Sequence, residues 1–356
     1  MMSGVVPQPD RLNRLIMEKT SKIFVAGHRG LVGAAIFRRL EAGGHTNLVT
    51  RTHSELELTS QTAADAFFKA EKPAYVFLAA AKVGGIMANS TCPGDFIREN
   101  LLIQTHVIDA AYRHGVKKLL FLGSSCIFPR LAPQPMKEEY LLTGPLEPTN
   151  SAYAVAKIAG IEMCWSYNKQ YGTHFIPVMP TNLYGPHDNF DLLTSHALPA
   201  LIRKYHLAKL AAEGNSEGIA QDEARFGTIP GDIRKSISSE RRTPEVVLWG
   251  TGSPRREFLY VDDLADACVW LMGNYGGTEL INIGTGRDKT IGELAEISRK
   301  VVGFEGKTVF DTSKPDGMPR KLLDVSKLKS LGWEARTSVE TGIRKTYQWY
   351  LDNLNL

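Results

Sequence analysis

Short apolar runs alternate with segments of helical period along most of the chain. From residue 22 the order is "KIFVAG" then "LVGAAIFRRLEAGG", "TNLVTR" then "TSQTAADAFFKAEK", "AYVFLAAA" then "ENLLIQTHVIDAAYRHG", and then "VKKLLFLGSS" and "THFIPVMPTN". The runs are continuously apolar rather than alternating, as strands buried on both faces require, and the segments between them suit parallel crossovers. The pattern predicts an α/β fold built on a doubly wound parallel (Rossmann) sheet. After "NLYGPH" the regularity fades. Residues 212–242 are polar, carry Gly and Ser and show no period, so a surface insertion is expected there, with disorder left open. Regularity returns in "EVVLWG", "REFLYVDDLADACVWLM" and "ELINIGTG" and ends in the helix-like "VETGIRKTYQWYLDN". The expected division is an N-terminal extension over 1–20, a Rossmann domain over 21–183 and 257–287, and a smaller mixed α/β substrate-binding domain over 184–256 and 288–356.

The bulk numbers narrow the class. With 356 residues, 43% of them hydrophobic, the chain can bury a substantial core. A net charge of +4, without runs of like charge, does not call for nucleic acid but suits a phosphorylated small molecule. Cys92, Cys126, Cys164 and Cys268 have neither metal-binding nor disulfide-framework spacing, so a reducing compartment and no metal are expected. No apolar run approaches the roughly 20 residues of a membrane helix. The first twenty residues lack a secretory core and carry acids unusual in a transit peptide, which leaves the cytoplasm as the expected location.

Candidate chemistry sits at the ends of the expected strands. The first strand runs into Gly27, His28, Arg29, Gly30, Leu31, Val32 and Gly33, a G-x-x-G-x-x-G turn whose glycines let a pyrophosphate approach the backbone at a helix N-terminus. The second strand ends at Thr50, Arg51, Thr52 and His53, with no acid before Glu55. Arg51 and Arg29 there favour a 2′-phosphate, hence NADP(H) over NAD(H). In "YAVAK", Tyr153 and Lys157 stand four apart on one helical face, where the cation is expected to lower the phenol's pKa. Such pairs occur by chance on many helices. This one follows the strand that ends in Ser124.

Together, the glycine turn, Ser124 and Tyr153-x-x-x-Lys157 resemble the extended short-chain dehydrogenase/reductases. The blocks "AGHRGLVG", "LAAAKVGGI", "FLGSSCIFP", "EPTNSAYAVAKIAGIEMC", "VMPTNLYGPHDNF", "SHALPALIRK", "REFLYVDDLA" and "KPDGMPRKLLDVSKL" resemble, more narrowly, the GDP-L-fucose synthase family from about residue 22 onward. The resemblance implies conversion of a GDP-4-keto-6-deoxy-D-mannose substrate by C3/C5 epimerisation and NADPH-dependent C4 reduction. It implies that Ser124, Tyr153 and Lys157 form the reductase triad, that Lys157 also holds the nicotinamide ribose, and that Cys126 and His196 are the base and acid of epimerisation. Pro180, Thr181, Asn182 and Leu183, with His196, are expected at the nicotinamide end of the cofactor. Lys204, Trp249, Arg256 and Asp316 are expected to bind the GDP portion. An arginine is common in the family where Lys204 stands, and a further arginine where His53 stands. Ser125 is expected to cap the strand end. A homodimer through the helices after the third and fourth strands is also implied, and "IAGIEMCWSY" is apolar around more of its circumference than one buried face needs.

Two other readings remain open on sequence. A nucleotide-sugar 4-epimerase or dehydratase that retains NAD would keep Tyr153 and Lys157 but has no use for Cys126 with His196. A dinucleotide-sensing protein without turnover should lack a catalytic side chain, and none is missing.

Overall fold

The computed structural model describes residues 17–237 and 244–354, so residues 1–16 of the expected extension lie outside the described residues. The chain opens with β1 (Ile23–Ala26), α1 (Leu31–Ala42), β2 (Leu48–Val49), α2 (Gln61–Glu71) and β3 (Tyr75–Leu78). Next come α3 (Ile86–Thr91), α4 (Pro93–Arg113), β4 (Lys118–Leu122), α5 (Ser151–Tyr171) and β5 (Phe175–Pro180). It then passes through β6 (Asn182–Tyr184), α6 (Ala197–Ala212), α7 (Ser216–Phe226), α8 (Gly231–Ile237), β7 (Glu245–Trp249) and β8 (Arg255–Tyr260). The remainder is α9 (Val261–Asn274), β9 (Ile281–Ile283), β10 (Asp288–Thr290), α10 (Ile291–Val302), β11 (Lys307–Asp311), β12 (Arg320–Lys321), α11 (Ser326–Ser330) and α12 (Val339–Asp352).

The main sheet is parallel throughout, in the order β2-β1-β3-β4-β5-β9. Every residue of β1, β3, β4 and β5 is buried, which is why their sequences are continuously apolar apart from Lys118 at the start of β4. One face is covered by α2, α4 and α5, through Phe68, Ile108 and Ile161 among others. The other is covered by α1 and α9, through Ile36, Leu40, Leu264 and Leu271. From β1 the chain steps outward to β2 and then crosses back to β3. This reversal opens a crevice at the carboxyl ends of β1 and β3, where ligands of such sheets bind. Among the described residues no helix is long and apolar enough to cross a membrane.

A second core gathers Ile202 and Tyr205 of α6, Val246 and Leu248 of β7, Leu294 of α10 and Tyr347 and Tyr350 of α12. Strand β8 belongs to both assemblies. Phe258 and Tyr260 face the second core, while Leu259, and Val261 just beyond the strand, face the main sheet. The period of two in an extended chain makes that sharing possible.

The structure corrects two expectations about organisation. Where described, residues 212–242 are largely helical: Asn215 caps α7 by accepting from Gly218 N, and Ile229 and Ile237 enter the second core. The segment read as polar because it is anchored by charge rather than by an apolar stripe. Fully buried Arg203 of α6 donates to Asp222 of α7 at 2.8 Å and to the carbonyls of Phe190, Phe226 and Gly227, and the Tyr350 hydroxyl bonds the same carboxylate. Buried charges survive only when satisfied in this way. The second correction concerns the expected boundary at residue 288. Leu323 and Val325 pack on one face of the main sheet, and Leu328 and Trp333 on the other, so the chain returns there after β12.

Candidate active site

The glycine turn is pressed tightly enough to dictate its residues. Gly27 has φ +83°, and a Cβ there would lie 2.8 Å from the Ala80 amide at the exit of β3. A Cβ on Gly33 would lie 2.1 Å from the Gly27 carbonyl. No side chain caps α1 at Gly30, and its first turn holds no acid, so its leading N–H groups are left for an anion. Leu31 and Val32 pack against the α1 side of the main core. A dinucleotide's pyrophosphate fits this cradle.

At the adenosine end, Arg51 is engaged before any ligand arrives. It pairs with Glu71 at 2.6 Å, donates to the Thr50 carbonyl at 2.7 Å and lies over the Phe67 ring. Glu55 accepts from the Thr52 amide and hydroxyl, which holds its carboxyl below the usual range, with smaller help from Arg51 and Arg29. His28 has its pKa lowered, first by burial and then by Arg29. Exposed Arg29 also lines a groove of about 400 Å³ with His187, Asp188 and Trp349. His53 pairs with Glu57 at 2.8 Å.

The exit of β4 carries the side chains expected to do the chemistry. Ser124 lies 3.1 Å from Cys126 (Oγ to Sγ) and caps a short 3-10 turn over Ser125–Ile127 by accepting from the Cys126 amide. The capper is therefore Ser124 and not Ser125, which is buried as the first residue of the turn itself. Asn150 donates to the Cys126 carbonyl at 3.4 Å, tying this turn to the start of α5. On α5, Tyr153 is buried at the Ser124 hydroxyl. Burial raises its pKa strongly, Cys126 pushes it further up, and the Ser124 bond pulls it back. The expected lowering by Lys157 does not govern here. The Lys157 ammonium is turned onto the Leu122 carbonyl at 2.9 Å and the Phe121 ring at 4.9 Å, and burial lowers its own pKa to about 8.

His196 is the residue from which α6 starts. The residue is exposed, yet the surrounding protein desolvates its ring and lowers its pKa. The Thr194 carbonyl accepts from the Gly85 amide at 3.2 Å, holding this loop to the segment leaving β3, the strand beside β4. Between β5 and β6, Pro180 ends one strand, Thr181 donates to the Ile283 and Glu257 carbonyls, Asn182 donates to the Glu257 carbonyl at 2.9 Å, and Leu183 packs on the main core.

The cations expected at the substrate are crowded rather than solvated. Burial lowers the pKa of Lys204, opposed by Asp232 of α8, and burial likewise lowers that of Arg256. Trp249 stands 65% exposed at the end of β7 with the Lys314 ammonium 5.6 Å from its ring. Asp316 accepts from the Thr251 amide and hydroxyl, so its carboxylate sits beside that tryptophan. Sequence reasoning passed over Lys321, which pairs in register with Arg256 across β12 and β8. Burial lowers its pKa, Cys126 opposes and Arg256 adds to the lowering, so Lys321 is within electrostatic reach of both the thiol and the guanidinium. The basic pair in "PRKLL" was the available signal.

Sheet, glycine cradle and a Ser-Tyr-Lys group at the end of β4 define a dinucleotide-dependent enzyme acting on a small molecule. Residues 23–284 match the model of the NAD dependent epimerase/dehydratase family, and the chain belongs to that family. Within it, the chain is 57% identical to GDP-L-fucose synthase 1 of Arabidopsis thaliana over 95% of both chains. It is 51% identical to GDP-L-fucose synthase of Escherichia coli, covering 93% of this chain and 97% of that one. Among solved structures, GDP-mannoheptose C4 reductase from Campylobacter jejuni with NADP bound superposes with a TM-score of 0.82, at 44% identity over 94% of this chain and 99% of that one.

Proposed function

We propose that this enzyme converts GDP-4-keto-6-deoxy-D-mannose to GDP-L-fucose, epimerising C3 and C5 and then reducing C4, with NADPH as its cofactor. The observation that carries the proposal is Cys126, 3.1 Å from Ser124 and electrostatically coupled to both Tyr153 and Lys321. A C4 ketone bound at Ser124 and Tyr153 acidifies the hydrogens at C3 and C5. Cys126, as its thiolate, removes a proton from each centre in turn and His196, protonated, returns one on the opposite face, with proton exchange with solvent resetting the pair between the two inversions. Tyr153 is the proton donor to the C4 oxygen, and the burial that raises its pKa keeps it protonated until that oxygen becomes basic. Ser124 orients the oxygen. Lys157 has donors left for the nicotinamide ribose, near Pro180–Leu183. When bound, NADPH supplies the hydride.

The Gly27–Gly33 cradle suits the cofactor's pyrophosphate, and Arg29 and Arg51 its 2′-phosphate. Arg256, Lys204 and Lys321 suit the substrate's diphosphate, with Trp249 and Asp316 toward the guanine. Homodimerisation through α4 and α5 belongs to the same reading. Tyr112, Val155 and Tyr171 leave apolar surface exposed on these two closely packed helices. A cytoplasmic location does too.

Incubation with GDP-4-keto-6-deoxy-D-mannose and NADPH, followed by absorbance and NMR of the sugar nucleotide, tests the reading. GDP-L-fucose is the expected product. C4 reduction without inversion would make the enzyme a C4 reductase only, and NADPH binding without turnover would leave a sensing role. Cys126→Ser is expected to abolish solvent exchange at C3 and C5 while some reduction persists, and Tyr153→Phe to do the reverse, each loss being about 10²- to 10⁴-fold.

A further inference from the structure

Glu257 is the residue next to Arg256 on β8, and its side chain is fully buried. Its Oε1 accepts from the amides of Thr285 at 2.6 Å and Gly286 at 2.7 Å and from the Thr285 hydroxyl at 3.2 Å. Its Oε2 accepts from the Leu323 amide at 2.9 Å. The Glu257 backbone carbonyl receives Thr181 and Asn182 from the β5–β6 crossing. One residue thus gathers three segments distant in sequence. They are the nicotinamide-end crossing, the turn after β9, and the chain two residues beyond Lys321.

A carboxylate buried among donors, with no cation paired to it among the described residues, costs free energy unless its geometry is held closely. The cradle is correspondingly tight, since a Cβ on Gly284 would lie 2.4 Å from Oε1. What the carboxylate secures is also specific. Arg256 and Lys321 are like charges in register on adjacent strands, and β12 is only two residues long. That pairing alone is a short clamp against their repulsion, and the Glu257–Leu323 bond continues it past the end of β12.

We propose that Glu257 is a positioning residue for recognition of the substrate's diphosphate, holding Arg256 and Lys321 side by side at the mouth of the site without touching the substrate itself. This rests on the nucleotide-sugar reading above. The Thr181 and Asn182 side chains donate to the backbone carbonyl of Glu257, so the nicotinamide crossing keeps these bonds when the Glu257 side chain is replaced, although the carboxylate also bonds the Thr181 side chain. The effect therefore falls mainly on the GDP-sugar.

The test is Glu257→Gln in the full-length enzyme, measuring calorimetric affinity for GDP and for NADPH and the steady-state constants. The amide turns a donor toward amides that need an acceptor. GDP affinity should weaken about tenfold or more, with KM for the GDP-sugar rising in parallel and kcat changing less than about threefold. NADPH affinity should stay within about twofold of wild type. Gly284→Ala, which displaces the carboxylate without removing it, should weaken GDP in the same way and serves where Glu257→Gln does not fold. Folded protein of either variant with wild-type GDP affinity overturns the proposal, whereas wild-type enzyme that neither binds GDP nor turns over the GDP-sugar overturns the underlying reading instead.

Discussion

The two ends of β4 each hold a buried lysine, and they differ in one respect. Lys118 at the start of the strand and Lys157 of α5, at its exit, are both 3% exposed, and burial lowers both pKa values to about 8. Lys118 donates to three carbonyls where α9 ends, Leu271 at 3.1 Å, Met272 at 2.9 Å and Tyr275 at 2.6 Å. An ammonium has three donors, so Lys118 is saturated. Lys157 donates to a single carbonyl among the described residues, that of Leu122. Equal burial and equal titration therefore do not separate a structural lysine from one proposed to take part in the chemistry. Unused hydrogen-bonding capacity does.

The comparison breaks if the two lysines respond alike to removal. Lys157→Met should reduce turnover about a thousandfold, while stability in denaturant titration changes by no more than about 1 kcal/mol, since an ammonium's desolvation cost disappears with its one bond. Lys118→Met should do the opposite. Three carbonyls lose their donor, unfolding free energy should fall by about 3 kcal/mol, and turnover per folded molecule should be retained.

A smaller effect sharpens the shared property. Both lysines titrate near 8 when folded and near 10.5 when not, so between those values the unfolded chain binds more protons and stability rises with pH. Below pH 8 both states are protonated and the contribution is flat. Comparing urea midpoints at pH 7.5 and 9.5, wild type should gain on the order of 2 kcal/mol more than Lys157→Met. An equal gain would show that Lys157 is not the group titrating.

Much of this was legible in sequence for a physical reason. Strands buried on both faces must be largely apolar, so "KIFVA", "AYVFL" and "KLLFL" announce themselves, and polar side chains directly behind such a run, as at Ser124 and Cys126, stand out against it. The residues passed over share a different trait. Arg203, Asp222 and Glu257 are charged groups buried by contacts from distant segments, Lys321 is half-buried in the same way, and charge read along a chain looks like surface. Ser124 as the cap was hidden too, since adjacent serines are interchangeable until the turn's start is seen. So was the upward shift of Tyr153, because spacing shows that a cation is near, as the Lys157 ammonium 5.9 Å from the ring is, but not that burial outweighs it.

Strand β8 puts Phe258 and Tyr260 into one core and Leu259 into the other. Two hydrophobic cores built on separate elements would be separable units, each free to melt at its own temperature. Here a single extended backbone of about 20 Å is the common wall of both, and neither can lose its order without pulling the rows of side chains out of the other. The enzyme's cooperativity is in that sense written in the alternation of "EFLYV", where each successive residue casts its free energy into the opposite half of the molecule.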